Sequence, residues 1–418
     1  MPYFQRNLKT LLEATIAERP LVYLNGPRQV GKSTLIQNSA LPKTENYITF
    51  DEPLTKITVK EDPGKFVKAL QGDKITIIDE IQKVPEIFDY LKISIDENRL
   101  KGNNKSLYLI SGSANLLALP KLSKALVGRV SVLTLLPFSS SEYKQTGRNF
   151  IEKLFNESLQ YKKYGDYDLT DIMINATYPE IAVDKSINRQ KWFDDYLNTL
   201  LQRDFYEVSN IRDSEKIVGL LGAMAMRAGS LINDSNIYSE LGLDNRTYEK
   251  YKNAVINTFL VFEMQAWAKS NNLNKRFTKA RKLFFHDINF LLYILRRELR
   301  EIYDKKEPFM GHIFENFVAA EIMKNASSLV GTYVSHFRTA DKKEIDFVIE
   351  KPNGDTIGIE VKLEANFSAQ DFNNLKILKS LAGDKFKKGI LFYTGNELLP
   401  FGKDLYAVPI CYLWENSL

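Results

Sequence analysis

The sequence predicts an α/β protein of several domains, and three patterns along the chain lead to this prediction. Near the N-terminus, a short apolar run is followed by a glycine-bounded turn and a helical pattern. A compact helical pattern occupies the centre, and a helix with alternating strand patterns occupies the C-terminal part. Because strands and helices alternate at both ends, we expect an α/β unit at each end. With 418 residues, the chain is long enough for two or three domains with complete cores.

The composition is typical of a soluble globular protein and excludes several function classes. Apolar residues make up 44% and charged residues 26%, and the net charge of +5 permits nucleic-acid binding without indicating it. The single cysteine, Cys411, excludes an internal disulfide framework, and three scattered histidines exclude a zinc-like cluster. The sequence has no secretion signal and no run of the ~20 apolar residues that a membrane helix needs. We therefore expect a cytoplasmic protein that does not span a membrane.

The first pattern is a complete phosphate-binding loop between a predicted strand at 21–24 and a predicted helix that begins at Ser33. Its glycines allow successive backbone N–H groups to point at an anion. Lys32 can reach the β- and γ-phosphates, and the Ser33 hydroxyl can bind Mg²⁺. We therefore predict a nucleoside triphosphate site with Mg²⁺. The loop residues predicted to bind the nucleotide are Gly26, Pro27, Arg28, Gln29, Val30, Gly31, Lys32, Ser33 and Thr34.

An acidic pair follows the next buried strand pattern, at 75–78. In a nucleotide-binding α/β sheet, acids at the carboxyl end of a strand face the ligand crevice. Asp79 is therefore predicted to bind the nucleotide's Mg²⁺, and Glu80 to act as the catalytic base on the attacking water. The alternative is that the acidic pair simply ends the strand in solvent. We favour the nucleotide-site interpretation because a phosphate loop lies upstream.

Two further residues are candidates for the same site, and each has an ordinary alternative. Ser113 follows a predicted strand at 106–110 and either contacts the γ-phosphate or forms part of a turn. Arg129 precedes a predicted strand at 130–136. It either neutralises charge on a transferred phosphoryl group or is a surface arginine in a loop.

From about Gln5 to Tyr143 the chain resembles the prokaryotic AAA-type ATPases whose loop reads G-P-R-Q-V-G-K-[ST]. The resemblance implies a P-loop NTPase (AAA-type) domain at 1–145 that binds and hydrolyses ATP, with Asp79 and Glu80 as its Walker B pair. It also implies a sensor near Ser113 and places Arg129 where an arginine finger is proposed, acting in cis or in trans. The matching motifs are Gly-Pro-Arg-Gln-Val-Gly-Lys-Ser at 26–33, Ile-Asp-Glu-Ile-Gln at 78–82, Ser-Gly-Ser at 111–113, Leu-Val-Gly-Arg at 126–129 and Leu-Pro-Phe-Ser at 136–139.

The centre of the chain is predicted to contain a linker and helical segment at 146–215 and a further domain at 216–300. Residues 140–170 are interpreted as an irregular linker or lid, and Arg203-Asp204 as part of a packed helix without chemistry. A helix, a glycine turn and a second helix around 237–260 resemble a winged-helix-like domain. The stretch 269–282 holds six basic residues and no acid, so it is either a phosphate-contacting wing or a solvated hairpin. The predicted caps are Asn233 or Asp234 for the first helix and Asn245 or Thr247 for the second.

Residues 301–418 carry the second chemical pattern. A helix at 311–321 contains Glu315, and strands are predicted at 333–338, 344–350 and 356–362. Period-two spacing puts Glu344 with Asp346 on one strand face, and Glu360 with Lys362 on a face of the paired strand. Two carboxylates can hold Mg²⁺ or Mn²⁺ and lower the pKa of a bound water, and Lys362 can orient the nucleophile. The alternative is a harmless pair of opposite charges on an exposed strand.

Asp346 with Glu360-x-Lys362 resembles the PD-(D/E)XK nuclease motif, although Ile345 stands where that motif has proline. Glu315 matches the frequent acid of the first helix, and the predicted order is helix, three strands, helix, strand. The resemblance implies a restriction-endonuclease-like α/β domain. Its catalytic residues would be Asp346, Glu360 and Lys362, and its metal ligands Glu315, Asp346 and Glu360. The whole chain resembles AAA-type ATPases with a C-terminal domain of unknown function in this nuclease-like class.

Two functions are consistent with these patterns. In the first, ATP turnover is coupled to nucleic-acid binding or processing by the nuclease-like domain. In the second, ATP gates a binding module whose nuclease-like domain is catalytically inactive and binds DNA or a protein partner. A small-molecule kinase fits the loop but not the Asp79-Glu80 pair or the large C-terminal half. ATP and Mg²⁺ are the predicted cofactors, and DNA, a protein partner and a homo-oligomer stay open as partners.

Overall fold

The computed structural model contains one large sheet from each end of the chain, with helices packed against both. One hydrophobic cluster extends from Leu8 to Trp414, so the N- and C-terminal parts share a core. Among the helices that the structure describes, none is long and apolar enough to cross a membrane. The described residues are 2–41, 46–70, 74–102, 107–113, 128–147, 149–205, 213–268, 280–339 and 341–415.

The strands of the N-terminal sheet are β1 (Leu21–Asn25), β2 (Asn46–Thr49), β3 (Thr76–Asp79), β4 (Tyr108–Ser111) and β5 (Val130–Thr134). They are all parallel, in the order β2-β3-β4-β1-β5, and β1, β3, β4 and β5 lie at the strands predicted from the sequence above. Every residue of β1, β3 and β4 is buried, as is typical of parallel strands covered on both faces. Because the strands are parallel, the segments after β1, β3 and β4 meet at one edge of the sheet.

Helices flank this sheet and cover its apolar faces. Asp62 caps one of them by accepting a hydrogen bond from the backbone N–H of Lys65 at 2.8 Å. A second hydrophobic cluster, which includes Ile78 and Leu91, forms between the sheet and the helices on one side. The helices of this part are Lys9–Glu18, Lys32–Gln37, Pro53–Glu61, Pro63–Ala69 and Ile87–Leu100, with a 3₁₀ turn at Ile81–Lys83.

Residues 140–170 are not the irregular linker or lid expected from their composition. The side chain of Ser139 accepts from the N–H of Glu142, and Asn149 caps the next helix by accepting from two backbone N–H groups. Polar residues that suggested a loop are therefore the caps of short helices. The segment from 140 to 204 contains the helices Ser140–Tyr143, Phe150–Asn156, Leu169–Asn175, Pro179–Val183 and Arg189–Thr199, the π-helix Leu200–Asp204 and the two-residue strand β6 (Lys162–Lys163).

The central part has three helices followed by the antiparallel strands β7 (Val261–Met264) and β8 (Lys282–Phe285). The predicted glycine turn is present, with Gly242 at φ +62°. Asn233 caps the helix Asp234–Glu240, as one of the two alternatives predicted. Neither Asn245 nor Thr247 caps the following helix; Asp244 does, accepting from the N–H of Thr247 at 2.9 Å. The helices here are Ser214–Ala225, Asp234–Glu240, Asn245–Asn257, Ile288–Leu295 and Leu299–Asp304.

The C-terminal sheet has seven strands in the order β6-β13-β14-β12-β11-β10-β9. The strands β9, β10 and β11 are antiparallel and lie where the sequence predicts strands, and β12 and β14 run parallel to β11. The short strands at its other end, β6 and β13, were not predicted. The strands are β9 (Tyr333–Arg338), β10 (Glu344–Glu350), β11 (Thr356–Lys362), β12 (Phe386–Tyr393), β13 (Glu397–Pro400) and β14 (Leu405–Pro409). The helices are Met310–Ala326 and Asn373–Ala382, with 3₁₀ turns at Ala369–Phe372, Gly383–Lys385 and Ile410–Leu413.

The helix Met310–Ala326 joins the C-terminal sheet to the rest of the protein. The fully buried carboxylate of Glu321 accepts from the backbone N–H and hydroxyl of Ser140 at 2.9 and 2.6 Å. Lys324 donates to the carbonyl oxygens of Phe138 and Ala176 at 2.9 and 3.1 Å. Since both side chains are buried, these hydrogen bonds fix the helix against the segment that follows β5.

Candidate functional site

The phosphate-loop sequence forms a tight turn between β1 and the following helix. Gly26 has φ +140°, and a Cβ atom there would lie 2.0 Å from the carbonyl oxygen of Leu135. Gly31, at the N-cap of the helix, has φ +87°, so both positions require glycine. The guanidinium of Arg6 donates to the carbonyl oxygen of Val30 at 2.7 Å and supports the turn. The remaining predicted loop residues, Pro27, Arg28, Gln29 and Thr34, lie on the same turn and on the helix after it.

Lys32 places its ammonium group inside the turn. Its Nζ atom donates to the carbonyl oxygens of Gly26 and Pro27 at 3.0 and 2.8 Å, and the residue is buried. Burial lowers the pKa of Lys32 to about 8, although the charges of Glu80 and Asp79 act in the opposite direction. A phosphate group beside Nζ would stabilise the charge of this buried ammonium.

Asp79, at the end of β3, collects hydroxyl groups from three other segments. Ser33 and Tyr47 donate to its Oδ2 atom at 2.8 and 2.7 Å, and Ser111 donates to its Oδ1 atom. Burial alone would raise the pKa of Asp79, but these hydrogen bonds outweigh burial and lower the pKa. An ionised carboxylate beside the Ser33 hydroxyl is a set of hard oxygen donors, and it fits Mg²⁺.

Glu80 lies next to Asp79 in a strained backbone conformation, with φ +55°. Gln82 donates from its Nε2 atom to Glu80 Oε2 at 2.5 Å and to Ser113 Oγ at 3.2 Å. Burial raises the pKa of Glu80, and the charges of Lys32 and Arg28 partly offset this effect. The structure therefore brings the predicted base and the predicted sensor together through Gln82, a residue that the sequence did not single out.

A buried ion pair connects the phosphate loop to the π-helix Leu200–Asp204. Arg28 Nε donates to Asp204 Oδ2 at 2.6 Å, and the hydroxyl of Ser113 donates to Asp204 Oδ1 at 3.4 Å. Asp204 is 1% exposed, so its carboxylate depends on these partners. Asp204, which the sequence suggested was part of a packed helix without chemistry, thus contacts two residues of the predicted nucleotide site.

Arg129 lies at the opposite edge of the N-terminal sheet. Leu21 pairs with Val130 at the amino ends of β1 and β5, whereas the phosphate loop follows the carboxyl end of β1. The guanidinium of Arg129 donates to both carboxylate oxygens of Asp96, at 2.7 and 2.9 Å. The structure does not bring Arg129 to the phosphate loop of its own chain.

A cavity of about 420 Å³ opens beside the phosphate loop. The N-terminal segment forms part of its wall, and the ring of Phe4 stacks on Phe138 with centroids 5.4 Å apart. An aromatic and apolar wall next to a phosphate loop suits the base of a nucleotide. The residues that border the cavity include Tyr3, Phe4, Val30, Thr34, Phe138 and Pro179.

In the C-terminal part, the predicted acids surround the ammonium group of Lys282. Lys282 Nζ lies 2.8 Å from Glu315 Oε1, 2.5 Å from Glu344 Oε1 and 3.9 Å from Asp346 Oδ1. Lys282 is 3% exposed, so neither a DNA-contacting wing nor a solvated hairpin describes this residue. Arg281, in the same predicted stretch, pairs with Glu263 and Asp234 at 2.6 and 3.3 Å, and residues 269–279 lie outside the described residues.

Asp346 and Glu360 face each other across β10 and β11, as predicted from their spacing. The backbone N–H of Val361 donates to Asp346 Oδ2 at 2.9 Å, and Asn374 donates to Glu360 Oε1 at 3.3 Å. Burial, together with the charge of Asp346, raises the pKa of Glu360. Burial and the charge of Asp346 also raise the pKa of Glu315 to about 7, although the Lys282 ammonium acts against this shift.

Lys362 does not join this group of acids in a nuclease-like arrangement. Its Nζ atom lies 3.0 Å from Asp371 Oδ2 and 3.7 Å from Glu364 Oε2. Within the described ranges, no group of three or more histidine, cysteine or acidic side chains is arranged to hold a metal ion. The donors as arranged therefore do not fit the predicted metal site, because an ammonium group already lies among Glu315, Glu344 and Asp346.

Comparison with protein families divides the chain into three matched segments. Residues 18–144 match the AAA domain family, which covers the sheet with the phosphate loop and Asp79. The N-terminal unit is an AAA-type P-loop domain. Residues 166–301 and 310–413 match two families described as domains of unknown function, DUF8612 and DUF4143. The AAA-type part of the predicted fold is thus confirmed, whereas neither of the other two matches describes a function.

The chain is also similar to two curated proteins, the uncharacterized proteins Mb2031c of Mycobacterium bovis and Rv2008c of Mycobacterium tuberculosis. Each is 23% identical over 406 residues, which cover 97% of this chain and 83% of the relative. Similar solved structures include a mutant of Thermotoga maritima RuvB, with a TM-score of 0.29, 16% identity, and coverage of 62% of this chain and 89% of that one. Cdc6p from Pyrobaculum aerophilum has a TM-score of 0.26, 13% identity, and coverage of 66% and 87%. Scores this low carry no argument about function.

Proposed function

We propose that this protein binds and hydrolyses ATP with Mg²⁺, and that turnover is coupled to nucleic-acid binding or processing by the C-terminal unit. The observation that carries the ATPase proposal is the hydrogen bond of 2.8 Å between Ser33 and Asp79. It joins the phosphate loop to the acidic pair after β3, at the edge where the parallel strands end. Ser33 and Asp79 would hold Mg²⁺, which stabilises the developing charge on the phosphates when it is bound.

The residues around this pair have separate roles in the proposal. The loop N–H groups and Lys32 bind the β- and γ-phosphates. Glu80 accepts a proton from the attacking water, and its raised pKa brings it closer to neutral pH, where a general base is effective. Gln82 holds one carboxylate oxygen of Glu80, so Glu80 must exchange this partner for water when it acts as the base.

The position of Arg129 supports a contribution in trans. It lies at the amino edge of the sheet, on the side away from the loop of its own chain, and it is held by Asp96 at the surface. An arginine in this position can reach a phosphate loop only on a second copy of the chain. We therefore propose that a homo-oligomer forms and that Arg129 acts on the nucleotide of a neighbouring copy.

The nucleic-acid part of the proposal rests on the order of elements in the other two units. Three helices followed by the β7–β8 pair agree with a winged-helix-like domain at 216–300. A helix, three antiparallel strands, a helix and a parallel strand agree with a PD-(D/E)XK nuclease-like domain at 301–418. The second candidate function is an ATP-gated binding module with an inactive nuclease-like domain. The observations that favour it are Lys282 among the acids and Lys362 beside Asp371.

The ATPase proposal is tested with Lys32→Ala and Glu80→Gln in the full chain. We expect both to abolish ATP turnover, and Glu80→Gln to retain ATP binding, because it keeps the loop and the Ser33–Asp79 pair. The measurements are phosphate release and nucleotide binding. Normal hydrolysis by Glu80→Gln would exclude Glu80 as the base.

The C-terminal proposal is tested by incubating DNA and RNA with the protein and Mg²⁺ or Mn²⁺, with and without ATP. The matched control is Asp346→Asn, which changes one acid of the cluster. Cleavage that the wild type performs and Asp346→Asn does not would support processing. Binding without cleavage in both proteins would support the binding module. If ATP changed neither affinity nor cleavage, the proposed coupling would be wrong.

A further inference from the structure

The surroundings of Lys282 are unusual for a lysine in a basic stretch. Its side chain is 3% exposed, and three carboxylates lie within 4 Å of its ammonium group. A buried charge of this kind is stable only when it is paired. Burial lowers the pKa of Lys282, but the charges of Glu315 and Asp346 outweigh burial and keep the pKa above its ordinary value. Lys282 is therefore a cation at neutral pH.

The Lys282 ammonium group in turn stabilises the ionised form of the acids around it. Glu315, Asp346 and Glu360 lie close together and are partly buried, and burial raises the pKa of all three. Without a positive charge, two or more ionised carboxylates would repel each other in a site of low dielectric constant. Lys282 supplies one positive charge to these acids, whereas a divalent metal ion in the same place would supply two.

The cation and the acids belong to different parts of the chain. Lys282 is the first residue of β8 in the central part, whereas Glu315 lies on the helix Met310–Ala326 and Asp346 on β10. The backbone of β8 is fixed to both parts. The N–H of Gly229 donates to the carbonyl oxygen of Leu283 at 2.8 Å, and Asn316 on the helix Met310–Ala326 accepts from the N–H and donates to the carbonyl oxygen of Phe285, each at 2.9 Å. A cavity of about 260 Å³ opens beside Glu315 and Asp346, so the acids are accessible from outside.

We propose that Lys282 is an internal cation that occupies the acidic pocket of the C-terminal part and keeps divalent metal ions out of it. A metal ion then binds to Glu315, Asp346 and Glu360 only when the Lys282 ammonium group is absent from the pocket. The Lys282 side chain thus determines whether the pocket holds an ammonium group or a metal. This proposal concerns metal binding alone and does not depend on ATP hydrolysis by the N-terminal unit.

The test is Mn²⁺ binding to the full chain without nucleotide, measured by electron paramagnetic resonance. We expect the wild type to show no Mn²⁺ binding that depends on Asp346, so that the substitution Asp346→Asn leaves its Mn²⁺ binding unchanged. Lys282→Met should gain one Mn²⁺ site, at least about ten-fold tighter than any site in the wild type, and Lys282→Met with Asp346→Asn should lose it. Mn²⁺ should also raise the melting temperature of Lys282→Met but not that of the wild type.

The matched control is Lys252→Met. Lys252 is also buried, and it pairs with Asp234, Glu249 and Glu263 in the central part, away from the C-terminal acids. This variant removes an equally buried ammonium, and it should gain no Mn²⁺ site that depends on Asp346. Lys282→Gln, which keeps a hydrogen-bond donor, replaces Lys282→Met if the latter does not fold. Equal Asp346-dependent binding in the wild type and the Lys282 variant would overturn the proposal, as would the absence of such binding in both Lys282 variants.

Discussion

The ion pair between Arg28 and Asp204 allows a test of whether the phosphate loop is energetically connected to the helical segment beside it. The side chain of Asp204 is 2% exposed and that of Arg28 is 17% exposed, and their atoms Oδ2 and Nε are 2.6 Å apart. Replacing Asp204 with Asn removes the negative charge but keeps the size of the side chain. The Arg28 guanidinium then loses its charged partner in a largely buried environment.

The expected cost follows from the burial of the pair. Removing one partner of a fully buried ion pair costs about 3–5 kcal/mol. Arg28 is partly exposed, and the Asn amide still offers an oxygen to the guanidinium and to Ser113. We therefore expect Asp204→Asn to reduce the free energy of unfolding by about 2–3 kcal/mol.

The assay is a double-mutant cycle of Asp204→Asn and Arg28→Gln. The free energy of unfolding of each variant is measured by urea denaturation. Trp192 lies on the helix that leads into the π-helix, so its fluorescence reports on this region. The matched control is the cycle of Asp96→Asn with Arg129→Gln. That pair has side chains 38% and 22% exposed, and its coupling should stay below about 1 kcal/mol. A coupling between Arg28 and Asp204 no larger than that of the surface pair would refute the reasoning.

Two further predictions concern the phosphate loop. The pKa of Lys32 is about 8 in the folded protein, below its ordinary value of 10.5, so the unfolded chain binds more protons between these values. Lys32→Met should therefore raise the stability of the nucleotide-free protein by about 1–3 kcal/mol at pH 7, and this gain should shrink from pH 8 towards 10.5 in thermal unfolding. Gly26→Ala should cost at least about 2 kcal/mol and abolish ATP binding, because its Cβ would lie 2.0 Å from the carbonyl oxygen of Leu135. Gly222→Ala is the control, because nothing lies within 4 Å of the new Cβ; it should leave ATP binding unchanged and, being inside the helix Ser214–Ala225, raise the stability by about 1 kcal/mol or less.

Features set by neighbours in the sequence were predicted well. The phosphate loop requires glycine at Gly26 and Gly31 for backbone reasons, so its pattern is visible without any knowledge of the fold. The strands around Asp346 and Glu360 were predicted from period-two spacing, which put these acids on faces where they can approach each other. The two acids therefore face each other as expected.

Partners that are distant in the sequence could not be predicted. Asp204 is 91 residues from Ser113, and its acidic side chain within an apolar helical pattern was the only signal of a buried partner. Lys282 was grouped with a solvated or DNA-contacting stretch because its neighbours in the sequence are basic. Only the fold reveals that its side chain points into an acidic pocket. Tyr47 carried no signal, since a tyrosine in a strand is ordinary, and Gln82 belongs to the matching motif at 78–82, which assigned it no role.

Both candidate sites are held by charges from the part of the chain that lies between them. Asp204 contacts Arg28 and Ser113 beside the phosphate loop, and Lys282 lies among the acids near Asp346. Asp204 and Lys282 are themselves buried, so neither charge can lose its partners without a replacement. A movement of this intermediate segment that exchanged one contact would act on the other through the shared hydrophobic cluster, which includes residues of both ends. Under the coupling proposed above, a change at one of these charges would shift the other site by a coupling free energy that is the same in both directions.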